Sequence, residues 1–293
     1  MKDCIIVGSG PAAVSAALTL QANGLDFSIF GSPELSDKIT KAEKIHNYPG
    51  LSDISGKAFN EALKAQLLEA KIEVKNEKAI GVYALKQKFV LSTQSGETYE
   101  SRTVILACGV ESTKPIEGER EFLGRGVSYC ATCDGFLYKG KKIAVLCTSK
   151  KLEKEIMHLA GFAQTVYLMP LYKGEAIRAE NVKKILKKPL AIEGEKRVQS
   201  VRFSAPPAAD IPALLEVDGV FILKESIAAD VMVAGLQTQD GHVVVDRNMA
   251  TNLKGCFAAG DCTGRPYQYA KAVGEGNVAA HAVGEYLSKI NQA

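Results

Sequence analysis

Long apolar runs are missing from this 293-residue chain. No stretch approaches the roughly 20 residues that cross a bilayer, so no membrane association is expected. Metal-ligand spacing is missing as well. The four histidines, His46, His158, His242 and His281, form no close pair, and Cys4, Cys108, Cys147, Cys256 and Cys262 are scattered. A structural zinc site needs four ligands, usually as two closely spaced pairs, so no metal is expected. A leader segment is not expected either, because Met1-Lys2-Asp3 passes straight into the apolar Cys4-Ile5-Ile6-Val7. Seven cysteines, an odd number and mostly in apolar segments, go with a reducing cytoplasm. A large excess of charge is absent, since the net is only +3. That charge is uneven. Residues 139–202 hold 15 Lys/Arg against 6 Asp/Glu, a net of +9, and the remainder sums to −6. The basic segment is either a solvated face or a docking surface for an acidic partner. It has few aromatics and no nucleic-acid motif, so nucleic acid is not an expected partner.

What is present begins at Cys130-Ala131-Thr132-Cys133-Asp134-Gly135. Two thiols three apart can close a small disulfide ring or open to a dithiol. An acid follows directly, and the glycine lets the backbone turn. This is the composition of a two-electron redox switch. Cys-x-x-Cys is also half of many zinc sites, and the missing second pair weighs against that reading.

The length allows about two domains. The apolar run Cys4–Val7 enters Gly8-Ser9-Gly10-Pro11-Ala12-Ala13, and Val14–Leu20 reads as a helix. Strand, glycine loop and helix together suit a dinucleotide. Gly8 permits the turn, Gly10 lets the backbone approach a pyrophosphate, and Ala13 allows close helix packing. The next strand, Asp26–Phe30, lacks the acid that usually grips a ribose; Glu34 is the nearest substitute. Residues 57–71 read as an amphipathic helix, followed by short strands at 72–74, 79–85 and 89–92. Thr103–Leu106 is a strand ending in Ala107-Cys108-Gly109. Residues 141–146 repeat the first strand's pattern, but the expected second glycine loop reads Cys147-Thr148-Ser149-Lys150-Lys151-Leu152. Lysine side chains stand where a pyrophosphate would need bare backbone. A helix over 153–159, a strand over 165–169 and a basic helix around 181–186 are expected next. Further strands are expected at 231–234 and 243–246. A strand then delivers Gly260-Asp261 to its carboxyl end, where cofactors bind in open α/β sheets. A helix over about 270–290 closes the chain.

These segments, in this order, resemble the low-molecular-weight thioredoxin reductases, which are FAD-containing disulfide oxidoreductases. The likeness rests on GSGPAA at 8–13, NYPG at 47–50, TVILACG at 103–109, CATCDG at 130–135 and GCFAAGD at 255–261. It covers nearly the whole length. The second domain departs from the family's pyridine-nucleotide pattern, because the glycine loop and the basic motif after the next strand are both missing. In this it looks like the ferredoxin-dependent flavin thioredoxin reductases. The resemblance implies an α/β fold of two Rossmann-like domains: residues 1–112 and 231–293 for FAD, and 113–230 for the redox disulfide. Hinges would lie near Thr113-Lys114-Pro115 and Ala228–Asp230.

The resemblance also implies roles. Gly8, Ser9, Gly10, Pro11 and Ala12 would cradle the FAD pyrophosphate, beside Ala107 and Gly109. Gly260 and Asp261 would reach the ribitol, and Asn47 and Gln268 the flavin ring. Tyr267 and Tyr269 would either border that ring or serve packing. Cys133 would be the flavin-side thiol, Cys130 the exchange thiol, and Asp134 either the acid/base or a turn residue. Thioredoxin, ferredoxin and a second copy of the chain are the implied partners. Three alternatives stay open. One is an NAD(P)H-dependent reductase using Lys150, Lys151 or Lys154 for phosphate. Another is a flavin redox sensor without turnover, and the third a disulfide reductase for another substrate.

Overall fold

The computed structural model describes residues 1–110, 115–224 and 227–292. The chain divides into two compact units, Met1–Glu111 with Ala228–Ala293, and Ser112–Ile227. The first candidate hinge lies partly outside the described residues. The second lies at the start of the last segment.

In the first unit, β1 (Lys2–Val7), β2 (Phe27–Gly31) and β3 (Val74–Asn76) lie in parallel. β4 (Ala79–Ala84), β5 (Phe89–Thr93) and β6 (Thr98–Leu106) form an antiparallel meander. The sheet order is β3-β2-β1-β6-β5-β4. β1 is buried on both faces, which is why it reads as a continuous apolar run. Between β1 and β2 runs α1 (Pro11–Ala22), rich in alanine and buried along much of its length. The short α2 (Asp37–Thr40) leads to α3 (Gly56–Glu69), capped by Ser55 and burying Phe59, Leu63 and Leu67.

The second unit contains β7 (Val127–Ser128), α4 (Ala131–Asp134), β8 (Lys142–Cys147), α5 (Glu153–Ala160), β9 (Thr165–Pro170) and β10 (Val182–Lys184). Then come β11 (Ala191–Gly194), β12 (Val198–Arg202), β13 (Leu214–Glu216) and β14 (Gly219–Leu223). A parallel sheet in the order β10-β9-β8-β14-β7 carries the core, and β11-β12-β13 is a separate antiparallel sheet. Ile143, Val145, Phe221 and Leu223 pack beneath Ile156 and Leu159 of α5. Each such side chain contributes roughly 1.5–3 kcal/mol through burial.

The chain returns to the first unit through α6 (Ala229–Met232), the hairpin β15 (Thr238–Gln239) and β16 (His242–Val243), β17 (Cys256–Ala258) and α7 (Tyr269–Gln292). β17 joins the large sheet beside β6. α7 packs against α1, and a Cβ on Gly276 would collide with the Ala12 carbonyl oxygen.

Three sequence expectations are corrected here. The segment at 181–186 is a strand, not a helix. Asn181 donates to the carbonyls of Ala160 and Ala163, which leads the chain out extended beside β9. The run 231–234 is not a strand: α6 carries it through Met232, and only Val233 makes a bridge, to Val82. Short apolar runs do not distinguish the two states by periodicity. The expected strand at 243–246 is reduced to His242–Val243, because Asp246 turns back to accept from Asn248 and Ala250.

Candidate functional site

Two places in the first unit and two in the second concentrate the chemistry. In the first unit, the glycine loop joins β1 to α1. Gly8 has φ +117°, and a Cβ there would strike the Ala107 carbonyl, so the loop lies directly on the end of β6. Only glycine fits this contact. No side chain caps α1, whose first residue is Pro11. Among the described residues, a Cβ at Gly10 or at Gly109 would meet no other atom within 4 Å. The loop therefore offers an uncapped helix start beside open space, which fits an anionic pyrophosphate. Ser9 contributes differently. Its hydroxyl accepts from Ser32 N at 3.0 Å, tying the loop to the end of β2. Glu34 pairs with Lys64 at 2.8 Å.

The second place is the turn after β17. Gly260, at φ +88°, precedes Asp261 in a short 3-10 turn, Asp261–Thr263. Sequence reasoning missed what holds this turn. Glu275 accepts from Gly260 N and from the Thr263 hydroxyl, both at 2.8 Å. Lys271 donates to the Gly260 carbonyl, to Thr263 and to Glu275 at 3.0–3.1 Å. Lys271 and Glu275 stand four apart on α7, a spacing the sequence does display. Burial raises the Asp261 pKa above the ordinary carboxylate value, opposed by Lys38 and Lys271. Asn47 donates to the Gln268 side chain, so these two expected site residues meet across 221 positions. Tyr267 bonds His242 at 2.7 Å, and Tyr269 packs on Phe59, with centroids 5.6 Å apart.

Four of the remaining cysteines also lie in this unit. The Cys262 thiol donates to the Leu106 and Ala259 carbonyls at 3.3 Å, and its interaction with Cys108 lowers the Cys108 pKa and raises that of Cys262. Burial pushes Cys4 and Cys256 up to about 12.

In the second unit, Cys130 and Cys133 are joined as a disulfide, with Cα atoms 5.4 Å apart. Cys130 is the N-cap of α4, and its sulfur accepts from Cys133 N at 3.1 Å. Cys130 is buried, whereas Cys133 and Asp134 are half-buried.

The fourth place is the carboxyl edge of β8 and β9, where a nucleotide would bind in a sheet of this kind. Ser149 caps the turn Lys150–Leu152 through Lys151 N, and Glu153 and Glu155 occupy the first turn of α5. Glu153 accepts from the Tyr172 hydroxyl at 2.8 Å and from Ile177 N at 3.1 Å. Carboxylate and ring thus bridge the edge where a phosphate would need amide donors and no negative charge.

The pyridine nucleotide-disulphide oxidoreductase model matches residues 2–152 and 175–276. A thioredoxin reductase from Mycoplasma genitalium is 32% identical, over 94% of this chain and 91% of that protein. Among solved structures, a ferredoxin-flavin thioredoxin reductase from Clostridium acetobutylicum is 41% identical, with a TM-score of 0.90 over 100% of this chain and 99% of that one. A thioredoxin reductase from Gloeobacter violaceus is 30% identical, with a TM-score of 0.79 over 98% and 94% of the two chains. With the Cys130–Cys133 disulfide and the glycine loop each in place within its own unit, the chain belongs to the pyridine nucleotide-disulphide oxidoreductase family, among homologues of thioredoxin reductase.

Proposed function

We propose that this chain carries FAD and reduces thioredoxin with electrons from reduced ferredoxin rather than from a pyridine nucleotide. The observation that carries the choice of donor is the edge of β8 and β9. It lacks the glycine loop, and Glu153, Tyr172 and Ile177 bridge it. The likeness to a ferredoxin-flavin thioredoxin reductase supports the same choice.

A bound FAD would supply the two-electron exchange that opens the Cys130–Cys133 disulfide. The residues that would hold it are Gly8, Ser9, Gly10, Pro11 and Ala12 with Ala107 and Gly109 at the pyrophosphate, Gly260 and Asp261 at the ribitol, and Asn47 and Gln268 at the ring. Their fit rests on the uncapped start of α1 and the open space beside Gly10 and Gly109. Once the dithiol has formed, the Cys130 thiolate attacks the thioredoxin disulfide. One sulfur of thioredoxin leaves and a mixed disulfide forms. Cys133 then attacks Cys130, the intramolecular bond re-forms, and the second thioredoxin sulfur leaves. Two electrons pass to thioredoxin and two protons follow, with Asp134 beside Cys133 to relay one. Cys130 is buried, so its attack requires a rearrangement that exposes it.

The energetics allow this direction. A plant-type ferredoxin lies near about −400 mV and thioredoxin near about −270 mV, and roughly 130 mV over two electrons is on the order of 6 kcal/mol.

The test follows flavin absorbance of the yellow protein without oxygen. Reduced ferredoxin should bleach it and generate thioredoxin thiols; NADPH and NADH should not. Fast bleaching by either nucleotide would overturn the donor assignment. Cys130→Ser should still bleach with ferredoxin but lose thioredoxin turnover, and surviving turnover would reassign the exchange thiol.

A further inference from the structure

Glu119 and Lys224 form an ion pair at 2.5 Å, and both are almost fully buried, at 2% and 5% side-chain exposure. Removing two charges from water is costly, and an apolar pair of similar volume usually stabilises a fold as well or better. The pair therefore calls for a reason beyond stability, and its neighbours point to one. The Glu119 oxygen that meets Lys224 also accepts from the Tyr129 hydroxyl at 2.7 Å. The other carboxylate oxygen accepts from Ile116 N at 3.0 Å. The Lys224 ammonium stands 5.5 Å from the centroid of the Tyr129 ring. Tyr129 is itself buried, and the next residue is Cys130.

A second lock acts one residue earlier. Cys130 N donates to the Ser128 hydroxyl at 3.0 Å, and that hydroxyl donates to the Cys130 carbonyl at 3.2 Å. Ser128 is held in turn by β7, which pairs with β14. The chain on the amino side of the disulfide is thus tied twice. On the carboxyl side Ala131 and Gly135 are buried, but between them Thr132 is exposed and Cys133 and Asp134 are half-buried.

We propose that Glu119, Lys224 and Tyr129 are positioning residues that fix the Cys130 backbone within the second unit while the Cys130–Cys133 bond opens and closes, whatever rearrangement exposes its thiol. The proposal rests on reading that pair as a reversible redox couple. When the bond opens, the two sulfurs separate to van der Waals distance. With Cys130 anchored, the turn bearing Cys133 makes the movement, and the thiols stay close. A short tether keeps their effective concentration high, which favours the disulfide. Releasing the anchor lowers that concentration and shifts the couple toward the dithiol.

The test equilibrates the flavin-loaded protein with mixtures of reduced and oxidised dithiothreitol. In that reaction the Cys130–Cys133 bond breaks, a cyclic dithiothreitol disulfide forms, and two electrons and two protons pass to the cysteines. Acid quenching, alkylation and mass spectrometry count the open pair. Tyr129→Phe removes only the hydroxyl. A Glu119→Leu/Lys224→Met double variant removes both charges together and avoids leaving one buried alone. Each should shift the equilibrium threefold or more toward the dithiol, with about tenfold for the double variant, equivalent to about 30 mV. A shift below threefold in both, or toward the disulfide, overturns the proposal. A wild-type pair that does not open reversibly would overturn the redox reading and the proposal together. A reversible wild-type pair with unshifted variants would overturn the proposal alone.

Discussion

At the scale of single residues, burial and hydrogen bonding separate thiols that the sequence leaves alike. Cys4 and Cys256 are sealed in the first unit's core, and burial holds their pKa near 12. Cys108 is partly exposed, and the neighbouring Cys262 thiol favours its thiolate. The thiolate is the reactive form. In the FAD-free chain at pH 8, iodoacetamide should label Cys108 at least tenfold faster than Cys4 or Cys256, read by peptide mass spectrometry. Equal rates would mean that the first unit opens before any thiol reacts. Asp261 gives a second case. Its folded-state pKa is raised by burial, so the native state holds the proton more tightly than the unfolded chain. The stability this contributes is full below the unfolded pKa and is lost as pH rises through the folded value. Ionised Asp261 is therefore a cost near neutral pH. Asp261→Asn should raise the melting temperature of the FAD-free chain at pH 7, and the gain should shrink as pH falls toward the ordinary aspartate value. If Asp261 holds FAD as proposed, the same variant should retain less of it after dialysis. A gain that persists unchanged into acid would show that charge is not its cause.

At the scale of elements, local signals were legible and distant ones were not. The strand, glycine loop and α1 are contiguous, so Gly8 and Gly10 mark a candidate site from local sequence alone. The Lys271–Glu275 clamp on the Gly260 turn was written at helical spacing, but its targets lie outside the helix and gave no sign. Glu119 and Lys224 meet across 105 positions, and nothing near either residue marks it. At 181–186 the lysines suggested a helical face, yet Asn181 and the edge of the parallel sheet decided for a strand. Gly276 and Gly274 make a paired test of α7. At Gly276 a Cβ would meet the Ala12 backbone, which cannot rotate aside; at Gly274 it would meet nothing within 4 Å. Alanine gains up to about 1 kcal/mol over glycine in a helix, while overpacking costs about 1–3 kcal/mol. Gly274→Ala should thus stabilise the FAD-free chain by up to ~1 kcal/mol, and Gly276→Ala should destabilise it by ~1–2 kcal/mol, measured by urea unfolding. Equal stabilisation by both would show that α1 and α7 separate more readily than their packing implies.

At the scale of the whole molecule, charge is the property that no single element displays. Residues 139–202 carry a net +9 and belong to the second unit, against −6 for the rest of the chain. Part of that charge is concentrated rather than spread. Lys141, Lys196 and Arg197 join Arg125 around a cleft of about 430 Å³ that also includes Leu137 and Tyr138. A field of this kind speeds encounter with an acidic protein by about 10- to 1,000-fold at low salt. Screening removes it, because the Debye length falls to ~10 Å at 0.1 M and ~3 Å at 1 M. If an acidic ferredoxin is the donor, its rate of flavin reduction should fall at least tenfold between about 0.02 and 0.5 M sodium chloride. Reduction by a small uncharged reductant should change less than twofold over the same range, because it gains nothing from steering. Reversing charge at Lys141 and Arg197 should lower the ferredoxin rate at low salt and flatten its salt dependence. A flat salt profile in the wild type would assign the basic segment to solvation, and the proposed donor would then rest on the bridged edge of β8 and β9 and on the likeness to the solved reductase. A steep profile that the reversed charges leave untouched would keep electrostatic docking and move it to another part of the surface.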